Sequence, residues 1–175
     1  MTALPPLLRR LALAALLALP GLPASAAGAL GTGGSGLPLP RFVSLSSDEV
    51  NVRVGPSFNH KVKWTFKKTG LPVEVVREFG NWRQIRDAEG AEGWVHHSLL
   101  SGRRTVLVSP WPNAENVPLR AAADSAARPV AYLEPFVLAT VDRCDGSWCA
   151  IHGATWRGTV PQTVLWGVYP KEEVR

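Results

Sequence analysis

Beyond its first thirty residues the chain lacks long apolar runs and amphipathic helical periodicity, and it has only two cysteines. No later stretch approaches the roughly eighteen consecutive apolar residues that a membrane-spanning helix requires, so stable membrane insertion is not expected. The missing helical period leaves no basis for a helical domain. Catalytic signatures are also absent: there is no Gly-x-Ser-x-Gly, no His-Glu-x-x-His and no glycine-rich phosphate loop opening a helix. His96 and His97 are adjacent, so on a strand they would point to opposite faces, and a metal site needs more ligands than these two. Asp87, Glu89 and Glu92 gather near a turn and read as a solvated loop. No catalytic residue, metal or cofactor is expected.

The N-terminus carries the one apolar run. Arg9 and Arg10 precede Leu11 to Leu19, Pro20-Gly21 breaks the run, and Ala24-Ser25-Ala26 presents small residues for cleavage. This is the pattern of a secretory signal over residues 1–26, and it predicts a periplasmic or secreted bacterial protein. An uncleaved anchoring helix is the alternative. A twin-arginine signal matches only at the Arg pair and the following Leu, and no cysteine sits at the cleavage point to receive a lipid. Residues 27–40 hold Gly, Ala, Pro, Ser and Leu without charge, which predicts a disordered linker.

The remainder is written twice. Asn51-Val52-Arg53, Asn81-Trp82-Arg83-Gln84-Ile85, Gly93-Trp94-Val95 and Gly102 return as Asn116-Val117-Pro118-Leu119-Arg120, Ser147-Trp148-Cys149-Ala150-Ile151, Gly158-Thr159-Val160 and Gly167. A period that long is a whole small domain, not a solenoid unit. Short alternating runs lie at 42–46, 50–54, 61–67, 72–79, 82–87 and 91–95, and again at 105–109, 116–120, 130–134, 136–143, 148–152 and 156–160. Gly, Pro, Asn and Asp clusters separate them, which predicts an all-β fold. Single helical turns are expected at Ser98-Leu99-Leu100 and Thr163-Val164-Leu165. The domains expected are 41–104 and 105–170, with a tail over 171–175. Each copy is near the lower size limit for its own core, and tryptophans supply large buried areas.

Charge separates the copies. Residues 41–104 carry net +4 and residues 105–170 net −1. Lys61, Lys63 and Lys67 alternate with Val62, Trp64 and Phe66, placing lysines on one face of a strand and apolar groups on the other. Such a ridge either steers an anionic partner or keeps an exposed strand soluble. Nucleic acid is not expected as a partner of an exported chain.

Cys144 and Cys149 form an even pair, expected to close as a disulfide in an oxidising compartment. Aligning Trp82 with Trp148 places Glu78 and Arg83 where the second copy has the cysteines. Opposite charges and paired thiols both suit facing positions across a hairpin, with Asp145-Gly146 supplying the turn. A Cys149 so bonded cannot act as a nucleophile with nearby His152.

Asn51-Val52-Arg53-Val54-Gly55-Pro56-Ser57, an Asn-Trp hairpin and a closing Gly93-Trp94-Val95 resemble the bacterial SH3-like domain found in many exported envelope proteins. The second copy departs from it, with Ala121-Ala122-Ala123-Asp124 at the Gly-Pro-Ser turn and Thr159 at the position of Trp94. The resemblance implies tandem small β-barrels without catalysis of their own, recognising cell-wall peptides or peptidoglycan. Phe58, Trp82 and Trp94, with His96 as a polar contact, are the candidates for an aromatic groove; Trp82 and Trp94 could equally be core. The alternative function is a structural adaptor docking on another exported protein through the nearly neutral second copy. Oligomeric state is not legible.

Overall fold

The computed structural model describes residues 31–175, so the signal expected over 1–26 and the start of the linker lie outside the described residues. Two short strands come first, β1 (Gly31–Thr32) and β2 (Pro38–Leu39), paired antiparallel. The expected disorder of 27–40 is therefore corrected over its second half. Ser35, between these strands, donates from its backbone N and from Oγ to the Glu78 carboxylate, each at 2.7 Å. That carboxylate also binds Arg41 at 2.8 Å and Arg83 at 3.1 Å. Composition alone predicted a free tether; a distant carboxylate captures it.

The first copy folds as β3 (Arg41–Leu45), β4 (Val50–Arg53), β5 (Val62–Phe66), β6 (Pro72–Phe79), β7 (Trp82–Arg86), β8 (Glu92–His96) and β9 (Leu100–Ser101). The second comprises β10 (Thr105–Val108), β11 (Val117–Arg120), β12 (Pro129–Leu133), β13 (Leu138–Asp145), β14 (Trp148–His152), β15 (Arg157–Pro161) and β16 (Leu165–Trp166). Strand order is β5-β4-β8-β7-β6-β3-β9 in one sheet and β12-β11-β15-β14-β13-β10-β16 in the other. The topology is the same, and the chain is all-β, as expected. Single 3-10 turns at His97–Leu99 and Gln162–Val164 precede the last strand of each copy. Residues 171–175 are not a loose tail, because β17 (Glu173–Val174) pairs with the end of β13.

Duplication extends to the irregularities. Register shifts fall at Val52/Arg53 and Val75/Arg77 in the first copy, and at Leu119/Arg120 and Val141/Arg143 in the second. Bulges of this kind bend a strand and increase its twist, which a sheet needs to coil around a small core. Each sheet coils without a complete hydrogen-bonded closure: among the described residues no ladder joins β5 to β9 or β12 to β16. Inside, Val50, Val52, Val75, Ile85 and Val95 form one core, and Val117, Leu119, Val141, Ile151 and Val160 form the other. The bulge at Val52/Arg53 also breaks the alternation expected on β5. Val62 is exposed, while Trp64 and Phe66 pack on the core.

Gly93 and Gly158 sit where two neighbouring strands, β4 with β8 and β11 with β15, approach closely. A Cβ on Gly158 would lie 2.6 Å from Leu119 Cγ and 2.8 Å from the Arg120 carbonyl; one on Gly93 would overlap Val52 Cγ1 and lie 3.0 Å from the Arg53 carbonyl. The repeated glycine is thus a requirement of close strand approach.

The copies meet along a seam that is half aromatic and half polar. Phe42 packs edge-on to Trp166 at 5.0 Å between centroids and against Tyr169 at 4.7 Å. Ser44 and Thr105 share a hydrogen bond at 2.9 Å, and Thr105 Oγ1 donates to the Gly70 carbonyl at 2.7 Å. Arg104 holds Glu172 at 2.7 Å. Burial opposes ionisation of Glu172, but this guanidinium and the Tyr169 N–H outweigh it and hold its carboxyl below the usual range.

Candidate functional site

In both copies the repeated arginine pins the loop that follows its strand. Arg53 Nη1 donates to the His60 carbonyl at 2.7 Å, and Arg120 Nη1 to the Ala127 carbonyl at 2.7 Å. The turn inside the loop is conserved in geometry although not in sequence. Asn59 N bonds Ser57 Oγ at 3.2 Å in one copy, and Ala126 N bonds Asp124 Oδ1 at 2.8 Å in the other. Ser57 therefore corresponds to Asp124, and Phe58 to Ser125. Only the first copy raises an aromatic ring on this loop.

That ring lands on two of the residues expected to accompany it. Phe58, 67% exposed, packs edge-on to Trp82 at 4.9 Å and lies 5.4 Å from His96. Trp82 and His96 are cross-strand partners on β7 and β8, with ring centroids 5.5 Å apart. The Arg53 guanidinium lies 5.7 Å from the Phe58 centroid, within cation–π range. Trp82 is only 8% exposed, yet it is absent from the core cluster. It shares the outer face of β7 with Gln84, opposite the core residue Ile85. The loop covers it from outside, which resolves the core-or-groove ambiguity into a third state.

Trp94 is on the same outer face, two register positions along, paired with Gln84 and Arg53. Among the described residues it makes no ring pair with Phe58, Trp82 or His96. The four candidates thus share a face, and three share a cluster. His96 Nδ1 meets Ser98 Oγ at 2.8 Å. His97 does not point to the opposite face, as adjacent strand residues would: β8 ends at His96 and a 3-10 turn begins at His97, leaving the rings 4.8 Å apart. Arg53 was legible as a repeat landmark but not as a ring partner, because that role appears only where the loop carries Phe58. Gly55 makes room for the loop, since a Cβ there would lie 2.5 Å from the His60 ring.

The lysine ridge is partly tied down. Lys63 Nζ donates to the Glu92 carbonyl at 2.8 Å, and Lys67 pairs with Glu49 at 2.7 Å on the surface. Asp87 accepts the backbone N–H groups of Glu89 and Ala91 at 3.1 and 2.8 Å, so it holds its turn rather than standing solvated. At the far end of the second copy Cys144 and Cys149 form the expected disulfide as register partners across β13 and β14. Glu78 and Arg83 are partners at the matching position of β6 and β7. Among the described residues no group of three or more His, Cys, Asp or Glu is placed to hold a metal ion, and no helix is long and apolar enough to cross a membrane.

One curated relative, a putative N-acetylmuramoyl-L-alanine amidase of Bacillus subtilis (strain 168), is 35% identical over 57 residues, covering 33% of this chain and 11% of the relative. The chain accordingly spans only a small part of that protein's length. Among solved structures, NlpC2 and NlpC1 from Trichomonas vaginalis are each 14% identical with a TM-score of 0.33. The matches cover 73% and 78% of this chain respectively, and 48% of each of theirs. The profile of the bacterial SH3 domain matches residues 46–102 and again 113–167, one segment in each of the two sheets. The chain belongs to the bacterial SH3 domain family, of which it carries two tandem copies.

Proposed function

We propose that this protein is a non-catalytic, exported binding module that recognises peptidoglycan or its peptides, with the cluster of Phe58, Trp82 and His96, extended by Trp94, as its contact face. The observation that carries this reading is the asymmetry between copies. Where the first copy has Phe58, Trp94 and His96, the second has Ser125, Thr159 and Pro161 at the matching loop and register positions. The fold stands without those side chains in one copy, so their presence in the other calls for a role other than folding. An exposed ring over a covered tryptophan, with a guanidinium over its face and an imidazole beside it, suits a peptide carrying both apolar and polar groups. The relative's name, a putative N-acetylmuramoyl-L-alanine amidase, supports an envelope polymer as the target and an extracytoplasmic location.

The test is co-sedimentation of the full chain with purified peptidoglycan. Retention is expected, with loss on Phe58→Ala, a substitution of an exposed residue that should leave the melting temperature unchanged. No retention, or retention indifferent to Phe58→Ala and Trp94→Ala, would defeat the reading.

A structural adaptor is the second reading, supported by a patch on the second copy. Val130, Tyr132 and Phe136 are exposed on and beside β12, which ends its sheet. Photo-crosslinking from position 132 that captures a defined exported protein would favour it over the first.

A further inference from the structure

The two copies differ again at β5 and β12, each of which stands at one end of its sheet. Both strands join their neighbour through the same bulge. Arg53 faces Val62 and Arg120 faces Pro129, and the carbonyls of Lys61 and Arg128 accept from Val54 N and Ala121 N, each at 3.1 Å. Lys61, Lys63, Thr65 and Lys67 of the first copy therefore correspond to Arg128, Val130, Tyr132 and Glu134 of the second. Among the described residues neither strand has a ladder on its outer side. An open edge accepts a further strand unless charge keeps one away. Three lysines guard β5, whereas β12 has a valine and a glutamate where two of them stand.

The edge of β12 is prepared for pairing. Val130 and Tyr132 are 44% and 66% exposed. Pro118 has no N–H, so its pair with Tyr132 is of the non-hydrogen-bonded kind, and Tyr132 turns its own N–H and carbonyl to the open side. Arg128 and Glu134 are exposed, and neither forms an ion pair among the described residues. They stand at equal distances along the chain on either side of Ala131, with opposite charge.

That symmetry selects one partner. When two identical strands pair antiparallel about Ala131, Val130 meets Tyr132 and Arg128 meets Glu134, and the two-fold axis makes each pair twice. The same register on β5 would oppose Lys61 with Lys67. A β5–β12 pair would match Lys61 with Glu134 but set Lys67 against Arg128. We infer that β12 is a self-association edge, through which two copies of this chain join as an antiparallel β12–β12 ladder. This goes beyond the envelope reading, and it gives to a second copy the patch that the adaptor reading gives to another protein. The Phe58 face belongs to the other repeat, so a dimer carries two such faces and can engage a polymer at two points.

The test is sedimentation velocity of the full chain over a concentration series. A weak, reversible dimer is expected, because one short strand per copy makes a small interface. Arg128→Glu opposes like charges at two places and should weaken the dimer about tenfold. Glu134→Arg should do the same, and the double reversal, which restores both opposite pairs, should recover the wild-type constant. Val130→Lys, which places on β12 the residue type of Lys63, should leave a monomer. These positions are exposed, and thermal melts check that the variants are folded. A photo-crosslinker at position 132, activated in envelope extract, should capture the Val130 segment of a second copy. A wild type that stays monomeric up to about 1 mM, single reversals without effect, no recovery in the double reversal, or crosslinks confined to another protein would overturn the proposal. Val130→Lys keeps the Phe58 face, so its retention on peptidoglycan separates a failure here from a failure of the envelope reading.

Discussion

Tyr169 of the second copy donates its phenolic hydrogen to Glu74 Oε1 of the first at 2.9 Å, while Arg86 holds the other oxygen of that carboxylate. The bond ties the copies at a position where Glu74 is buried. Tyr169→Phe should leave the carboxylate one donor short and cost about 1–3 kcal/mol, read as a lower urea midpoint at unchanged slope. An unaltered midpoint would show that this bond adds nothing to the other contacts that hold the seam.

The same bond sets an alkaline limit. Burial first, then the hydrogen bond to Glu74, raises the Tyr169 hydroxyl well above its ordinary value. An unfolded tyrosine ionises near about 10, so the stabilisation is complete below that pH and lost progressively above it. The stability gap between the wild type and Tyr169→Phe should narrow between pH 10 and 11. A gap independent of pH would mean that the hydroxyl is not coupled to folding.

Glu78 sets the acid limit of the N-terminal segment. Burial opposes its charge, but the Ser35 backbone and hydroxyl donors, Arg41 and then Arg83 outweigh that and hold the carboxyl at about 2, down from 4.5. The depressed value means stabilisation present above 4.5 and lost as pH falls from there toward 2. Residues 33–39 should become cleavable by pepsin across that window. Glu78→Gln should make them cleavable by other proteases already at neutral pH.

The repeated glycines should not behave alike. Gly158→Ala forces a Cβ onto Leu119 and the Arg120 carbonyl, and should cost at least about 1–3 kcal/mol. Gly102→Ala meets nothing within 4 Å and should be tolerated. Thermal melts of the two variants check this, and equal losses would refute the close-approach argument.

The disulfide closes a loop with a sequence separation of 5. Replacing both cysteines with Ala should cost less than the roughly 3 kcal/mol of a fifteen-residue loop. Reductant should lower the wild-type melting temperature and leave that variant unmoved. A wild type indifferent to complete reduction would mean that the bond contributes nothing to the folded state.

The landmarks legible in the sequence were those that a barrel cannot do without. Arg53 and Arg120 recur because each pins the loop after its strand, Gly93 and Gly158 because two strands nearly touch there, and Ile85 and Ile151 because each fills a core. The cysteine pair was readable through its alignment with Glu78 and Arg83, since facing positions in a hairpin tolerate only complementary partners. The edge-on packing of Phe58 against Trp82 was only half readable. Alternation along β7 and β8 establishes which side chains share a face, but a loop ring reaches that face through loop conformation, which no period encodes.

Local spacing, then, determined by itself that the chain is strand-built, duplicated and crosslinked at one hairpin, because strand alternation, turn chemistry and cysteine pairing act over a few residues. Tertiary structure alone decided that Ser35 docks on Glu78, that Tyr169 reaches Glu74 and that Trp111 and Trp166 border a common cleft. Those contacts join residues distant in the chain, and their pairing depends on how two finished sheets meet.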